Sequence, residues 1–163
     1  MQQTIEIFHD KVSRIIVESG FTVYETDITR PWGGFVRLEN TDAAAFIAKY
    51  FPDMAFDTYD NLSPKFLIVA PGMRLSWQKH ARRAELWRVL EGPVGIKLSR
   101  TDEEPEEVKV LQAGETIQFG VGIRHRLIGL EGWGIVTEIW QHADSSKLSD
   151  ESDIIRISDD FGR

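Results

Sequence analysis

The first third of the chain combines one helical pattern with two strand-like ones. Apolar residues recur at helical spacing over 4–19, which predicts an amphipathic helix with Thr4 as its cap and Gly20 after its end. Two alternating segments follow, FTVYE and FVRLE, joined by a turn at residues 30–34. Because a two-residue period is typical of half-buried strands, we predict a short hairpin here.

The pattern changes once more before it becomes regular. A short helical stretch starts at Thr41 and is stopped by Pro52, and residues 53–64 read as an irregular loop. From Phe66 onward, short β-type runs alternate with turn signals. The predicted strands lie near residues 66–70, 75–81, 85–91, 94–99, 107–111, 115–119, 123–128, 133–140 and 153–157.

Short strands at even spacing favour a sandwich or barrel, and a chain of 163 residues is long enough for one domain with a real core. We therefore predict a mainly β protein that is one domain over residues 1–163. Residues 1–63 supply the N-terminal helix, strands and helical insert. Residues 64–163 supply the barrel.

Composition narrows the class of protein. Apolar residues make up 42% of the chain and charged residues 28%, as in soluble globular proteins. No segment resembles a membrane span or a secretion leader, so we expect no membrane partner and a cytoplasmic location. Cysteine is absent, which excludes disulfides and thiolate metal ligands.

The charge distribution limits the kinds of partner that the chain is expected to bind. A net charge of −7 argues against nucleic acid, since phosphate neutralisation requires a basic surface. One stretch is nonetheless cationic, because between residues 74 and 88 five basic residues accompany a single acid, Glu85. A local cationic patch in an acidic protein favours a small anionic ligand over a polymer.

Four separated side chains suggest a metal site. Gln78 and His80 are two apart, so on a strand they share a face, and Glu85 opens the next strand after a short turn at 81–84. His125 reaches them only if the sheet closes on itself. Two imidazoles, a carboxylate and an amide oxygen form a mixed nitrogen and oxygen shell for a divalent cation. The alternative is a barrel that holds no metal.

The four residues lie in two glycine-containing segments, Gly72–Gly92 and Gly114–His125. These segments match the motifs of the cupin family, with Gln78 where many cupins have their first histidine. Within residues 64–163 the chain resembles the C-terminal domain of type II mannose-6-phosphate isomerases, and RPWGGF at 30–35 resembles the opening of that domain. The stretches that carry the resemblance are PGMRLSWQKHARRAELW, RVLEG, LQAGETIQFGVGIRHRL and SDIIRISDDFGR.

The resemblance implies a double-stranded β-helix, or jelly-roll, barrel with an N-terminal helical elaboration. It implies one divalent metal ion, zinc in the first place, with manganese, cobalt, nickel or iron as alternatives. The implied activity is aldose–ketose isomerisation of a phosphorylated sugar, first mannose-6-phosphate to fructose-6-phosphate. The implied assembly is a homodimer.

The chain also departs from the family. The nucleotidyltransferase domain that often precedes this domain is not in the sequence, so guanylyl transfer is not expected. Leu86 replaces a family histidine, but strand alternation aims it away from Glu85. The insert between Gly34 and Pro64 is foreign to the fused enzymes, which leaves open which sugar is bound.

Arginines are the candidates for binding the substrate. Arg83 matches the arginine of the family motif, and we predict a catalytic role in phosphate binding or charge stabilisation; a surface ion pair is the alternative. Arg74 shares strand parity with the predicted ligands and is expected to face the cavity. The Arg-Pro-Trp-Gly and Phe-Gly-Arg matches add Arg30 and Arg163.

Isomerisation also needs a base near C1 and C2 of the sugar. Candidates are a hydroxide held by the metal, Lys97 and Glu138. Three further arginines have the opposite strand parity and are expected to face outward: Arg88, Arg124 and Arg126. The tryptophans are interpreted as core residues rather than stacking surfaces for a sugar.

Other functions fit the same residues. One alternative is isomerisation of a different sugar or heptose phosphate. Another is oxygen chemistry of the dioxygenase kind, if the metal is iron. The third is a sugar-binding or regulatory protein that keeps the fold and the metal without turnover.

Overall fold

The computed structural model describes residues 3–163, which form two α-helices, one 3₁₀ turn and eleven strands. The elements are α1 (Ile5–Ser19), β1 (Val23–Arg30), β2 (Gly33–Leu38), a 3₁₀ turn (Asn40–Asp42), α2 (Ala43–Tyr50), β3 (Lys65–Val69), β4 (Trp77–Lys79), β5 (Arg83–Glu91), β6 (Val94–Ser99), β7 (Lys109–Leu111), β8 (Thr116–Phe119), β9 (Arg124–Gly129), β10 (Gly134–His142) and β11 (Ile155–Ser158).

Both predicted helices are present with ends close to those expected. Gly20 follows α1 in the left-handed conformation, with φ of 73°, and its N–H bonds to the carbonyls of the last turn. Thr4 occupies the cap position in an extended conformation, but its side chain makes no capping hydrogen bond. The prediction of a Thr4 side-chain cap was therefore wrong.

The strands form two antiparallel sheets. One has six strands in the order β1-β2-β3-β10-β5-β8, and the other has five in the order β11-β4-β9-β6-β7. The chain crosses repeatedly between the sheets, for example from β4 in the smaller sheet to β5 in the larger one. This pattern confirms the predicted mainly β fold with an N-terminal helix.

The molecule has three layers and two hydrophobic clusters. The helices pack on the outer face of the six-stranded sheet, where Phe8, Phe46 and Phe66 are buried. The second cluster lies between the two sheets and includes Trp87 and Val136. Neighbouring residues of one strand thus enter different clusters, as strand alternation requires.

The N-terminal hairpin extends the barrel rather than standing apart from it. Strand β2 pairs with β3 over its whole length, so residues from both predicted segments share one sheet. At Gly33, with φ of 141°, a Cβ atom would lie 2.0 Å from the Ile68 carbonyl oxygen. Only glycine permits this close approach of two strands. Among residues 3–163, no helix has the length and apolarity needed to cross a bilayer.

Candidate metal centre

Three of the four predicted metal ligands converge between the sheets. His80 follows β4, Glu85 lies on β5 and His125 lies on β9, and all three are buried. The Nε2 atoms of His80 and His125 are 3.3 Å apart. Glu85 Oε1 lies 3.0 Å from His80 Nε2, and Glu85 Oε2 lies 3.5 Å from His125 Nε2. One carboxylate therefore faces two imidazole nitrogens.

The hydrogen bonds on the far side of each ring determine what these nitrogens can do. His80 Nδ1 lies 2.6 Å from the Asp153 carbonyl oxygen, and His125 Nδ1 lies 3.0 Å from that of Ile123. A carbonyl can only accept, so each Nδ1 carries the hydrogen, and in the neutral rings each Nε2 presents a lone pair to the centre. Backbone carbonyls commonly orient metal-binding histidines in this way.

The group of three acceptors fits a cation. Glu85 Oε2 is buried and has no hydrogen-bond donor among residues 3–163, which is costly for a carboxylate oxygen. Bonds of about 2.0–2.2 Å from a divalent metal to nitrogen and oxygen put neighbouring ligands about 3.0–3.5 Å apart. The three distances between the side chains, 3.0–3.5 Å, fall in that range. These residues can hold a metal ion.

Gln78 lies next to this cluster. It is directly opposite His125 in the register of β4 and β9, so the two side chains are on the same face. Gln78 is 9% exposed and lines the same cavity as His80 and Glu85. Its predicted role as the fourth ligand stays a prediction.

Arg83 holds the Glu85 carboxylate from outside the cluster. Its Nε donates to Glu85 Oε1 at 3.0 Å, and its guanidinium stacks on Trp140 at 3.8 Å from the ring centre. Its Nη1 donates to Ser149 Oγ at 3.0 Å and to the Asp150 carbonyl at 3.0 Å. Most donors of this buried side chain are therefore occupied. Its predicted catalytic role in phosphate binding stays a prediction.

Electrostatics favour the ionised form of Glu85. Burial alone would raise the pKa of Glu85. When no metal occupies the Nε2 positions, a positive charge on His80, hydrogen bonds that protonated His125 and His80 rings would donate, and the charge of Arg83 lower that pKa well below its usual value. Charge and hydrogen bonding thus outweigh desolvation here. An ionised carboxylate is the form that binds a metal.

The turn between β4 and β5, which joins two ligands, is held by the C-terminal segment. The Asp153 carboxylate accepts from the backbone N–H groups of Ala81 and Arg82 at 2.8 and 2.9 Å. It also accepts from Ser149 Oγ at 2.7 Å. The sequence analysis did not identify Ser149 or Asp153, because nothing in the local pattern links them to a turn about seventy residues earlier.

The metal cluster lies at a cavity of about 420 Å³, a size typical of small-molecule sites. Part of its wall is apolar and includes Trp32, Phe35 and Leu67. Four of the five tryptophans are buried, as predicted, and Trp133 is half-buried against Phe8 of α1; Trp32 also lines this cavity. The hairpin that carries it is the one closed by Gly33.

A buried acid and a buried lysine share this cavity. Glu138 Oε1 accepts from Trp87 Nε1 at 3.0 Å, and Glu138 Oε2 lies 3.6 Å from Lys65 Nζ. Burial raises the pKa of Glu138 to about 7; the charge of Glu85 adds to this rise and Lys65 opposes it. Lys65 was not identified from the sequence, where it reads as one residue of a buried strand.

Lys97 was the other candidate side chain for the base, and it does not line the cavity. Its Nζ pairs with Glu104 Oε1 at 3.4 Å, and it is opposite Arg126 in the register of β6 and β9. Both residues therefore lie on the sheet face away from the cavity. Glu138 is the predicted side chain that the structure places in the cavity.

The predicted substrate arginines divide into two groups. Arg30 and Arg163 line the cavity. Arg74 does not; its Nε and Nη2 bind the Asp160 carboxylate at 2.6 and 2.9 Å. The expectation from strand parity was wrong because β4 begins only at Trp77, so two-residue alternation does not extend back to Arg74.

Arg126 also needs a correction. Arg126 points away from the cavity, as predicted, but its side chain is fully buried rather than exposed to solvent. Its Nε donates to the Leu75 carbonyl at 2.7 Å, and its Nη1 donates to Glu104 at 2.8 and 3.1 Å. The acidic segment around Glu104 folds over this face of the smaller sheet, and sequence periodicity does not reveal such a cover.

Comparisons with known proteins agree with this picture. The family described as Mannose-6-phosphate isomerase C-terminal matches residues 49–159. A mannose-1-phosphate guanylyltransferase of Salmonella montevideo is 29% identical over 137 residues. The Xanthan biosynthesis protein XanB of Xanthomonas campestris pv. campestris is 32% identical over 117 residues. These matches cover 84% and 70% of this chain. They cover only 23% of each relative, so the chain spans about a quarter of their length.

Solved structures share the fold at low sequence identity. The capsular polysaccharide assembling protein CapF of Staphylococcus aureus is 13% identical, with a TM-score of 0.58 over 82% of this chain and 34% of that one. Oxalate decarboxylase of Bacillus subtilis is 14% identical, with a TM-score of 0.57 over 81% of this chain and 29% of that one. KdgF of Halomonas sp. is 14% identical, with a TM-score of 0.51 over 77% of this chain and 92% of that one.

The double-sheet barrel of these neighbours is the cupin fold, which confirms the predicted fold class. The matched family segment contains all three residues of the metal cluster. The chain belongs to the mannose-6-phosphate isomerase C-terminal family of cupins.

Proposed function

We propose that this protein is a metal-dependent isomerase of a phosphorylated sugar, with mannose-6-phosphate to fructose-6-phosphate as the first reaction to test. The observation that carries the proposal is the convergence of His80, Glu85 and His125 at a cavity that arginines also line. Family membership supports it. The guanylyltransferase named among the relatives is about four times longer, so its activity is not proposed for this chain.

The donor set limits the choice of metal, and we propose zinc first. Two imidazole nitrogens and a carboxylate suit zinc, and they also suit manganese, cobalt, nickel or iron. Bound there, a divalent cation would act as a Lewis acid on the carbonyl and hydroxyl oxygens of the sugar and stabilise negative charge developing at C1 and C2. Arg83 keeps Glu85 oriented for this role by its hydrogen bond to Oε1.

We assign proton transfer between C1 and C2 to Glu138. It lines the cavity together with Glu85, and Trp87 and Lys65 hold its two oxygens. A carboxylate fixed on both sides has a defined position relative to a bound sugar. Trp32 and Phe35 contribute an apolar wall that limits water around the reacting carbons.

Hydrogen exchange tests the isomerase. Zinc-loaded protein is incubated with mannose-6-phosphate in deuterated water, and label at C2 is followed by NMR. The panel includes other hexose, pentose and heptose phosphates. We expect exchange with at least one of them, and Glu138→Gln should slow it by at least ~100-fold, since the amide cannot accept the proton. Fully metal-loaded protein that exchanges none of the panel contradicts the proposal.

One observation favours a second candidate. Two histidines and one carboxylate around a single point are also the ligand set of non-haem iron oxygenases. Iron-loaded protein that consumes oxygen with a sugar substrate, and shows no exchange when loaded with zinc, would support oxygen chemistry instead. A protein that binds sugar phosphate but does neither would be a binding protein.

A further inference from the structure

Three arginines lie together at the cavity. Arg30 ends β1, Arg156 lies on β11 and Arg163 is the last residue of the chain, and all three line the cavity. Arg30 is far in sequence from the other two, and the three come from two different sheets and the C-terminal segment. Arg156 was not singled out in the sequence, where it reads as a polar position of a late strand.

Their charges are only partly neutralised. Arg30 pairs with Asp27 at 2.9 Å and Arg163 pairs with Asp159 at 2.7 Å. Among residues 3–163, no carboxylate lies within ion-pair distance of Arg156. Burial lowers the pKa of Arg156, and the charges of Arg163 and Arg30 lower it further, while Asp159 opposes them. A guanidinium repelled by two neighbours and left without a partner is stabilised by an added anion.

The position of Arg156 relative to the metal cluster follows from strand register. Arg156 is opposite Gln78 on the neighbouring strand, and Gln78 is opposite His125 on the next. Directly opposed residues point to the same face, so the three side chains form a row across β11, β4 and β9. Two strand spacings separate the Cα atoms of Arg156 and His125 by about 10 Å.

This spacing suits a ligand with two different ends. An open-chain sugar with its carbonyl at C1 or C2 and its phosphate on the last carbon has its two recognition groups separated by several carbon–carbon bonds. The row therefore suits a phosphate on the last carbon, which can reach Arg156 while the carbonyl lies at the cluster.

We propose that Arg156, supported by Arg30 and Arg163, forms an anion subsite that binds the terminal phosphoryl group of the sugar. This inference rests on the proposed function for the identity of the sugar. The subsite itself needs only the three guanidinium groups. Its ligand class is a phosphate dianion, which guanidinium forks bind through paired hydrogen bonds.

The test uses the zinc-loaded full chain and inorganic phosphate as the probe. Binding is measured by isothermal titration calorimetry at low ionic strength. Arg156→Ala should weaken phosphate binding at least ~10-fold, as expected for loss of a charge-assisted hydrogen bond. Arg14→Ala removes an exposed arginine of α1 that does not line the cavity, and it should leave binding unchanged. Circular dichroism and the melting temperature establish that each variant is folded.

The same variants separate this inference from the proposed function. If Arg156→Ala binds phosphate as tightly as Arg14→Ala, the subsite is wrong, even where the protein exchanges mannose-6-phosphate at C2. If Arg156→Ala alone loses phosphate, the subsite stands, even where no sugar exchanges. In an active protein, Arg156→Ala should raise KM for the 6-phosphate with a smaller change in kcat. Equal KM values for the 6-phosphate in Arg156→Ala and Arg14→Ala would contradict a role of the subsite in substrate binding.

Discussion

Each histidine of the cluster is oriented by one backbone carbonyl, and this fixes what its removal should do. His80 and His125 donate from Nδ1 to Asp153 and Ile123, so only their Nε2 atoms face Glu85. His125 also packs against Phe119 and Trp87 of the cluster between the sheets, with ring centres 4.2 and 5.7 Å apart. Each histidine is a single side chain beside this core, and most of the core remains when one is removed.

We expect His80→Ala and His125→Ala each to abolish metal retention while the barrel stays folded. Removing one of three buried ligands leaves two donors, too few for a stable site. Metal content is measured by mass spectrometry after gel filtration, and folding by circular dichroism. His9→Ala, on α1 and outside the cluster, is the matched control and should keep its metal. Full metal occupancy in both cluster variants would show that the ligand assignment is wrong.

At the same scale, strand alternation correctly predicted the orientation of Gln78 and Leu86, which lie inside regular strands. Gln78 faces the cavity, and Leu86 turns away from the centre into the cluster beneath the helices. Prediction failed at Arg74, just outside β4, and at Arg126, whose cover of acidic residues comes from elsewhere in the chain. Sequence periodicity predicts the orientation of side chains within a strand, but it does not predict which other segments pack against that strand.

Among the elements, the turn between β4 and β5 depends on residues 149–153 in the C-terminal tail, which the sequence analysis did not connect with that turn. Residues 149–153 hold this turn through the carboxylate of Asp153, and they orient His80 through its carbonyl. Most strand positions from residue 66 onward were predictable, because short apolar runs and turn signals mark them. The contact between the turn and this tail was not predictable, since it joins segments distant in sequence.

Asp153→Ala should weaken metal affinity by about 10–100-fold, the usual effect of losing a group that supports metal ligands. The variant keeps every ligand but frees the N–H groups of Ala81 and Arg82, so the turn loses its position. Affinity is measured by competition with a chromogenic chelator. Asp144→Ala is the control, because Asp144 bonds only within its own turn, to Ser146. An Asp153→Ala protein with unchanged affinity would argue that the turn is rigid without this contact.

At the scale of the whole molecule, the two faces of the six-stranded sheet have different roles: one packs against the helices and the other carries residues of the cavity. Its outer face is covered by the helices, and its inner face carries Glu85 and Glu138 toward the smaller sheet. The helix and loop between Gly34 and Pro64 thus cover the side of the sheet opposite the centre, and the family match begins within this segment, at residue 49. The homodimer implied by the resemblance stays a prediction. Light scattering of the purified protein tests it.

Because the centre joins both sheets, a bound metal should stabilise the entire barrel. His80 and His125 come from the smaller sheet and Glu85 from the larger, so separating the sheets requires release of the ion. A ligand at 100 times its dissociation constant adds about 2.7 kcal/mol to the free energy of unfolding, provided it does not bind the unfolded chain. For a domain of this size that raises the melting temperature by about 5–10 °C. Calorimetry of the zinc-loaded and chelator-treated protein measures the difference. If zinc raises the melting temperature of a His80→Ala, His125→Ala double variant by the same amount, zinc binds elsewhere. If zinc raises the melting temperature of the original protein but not of this variant, the stability of the fold depends on this centre.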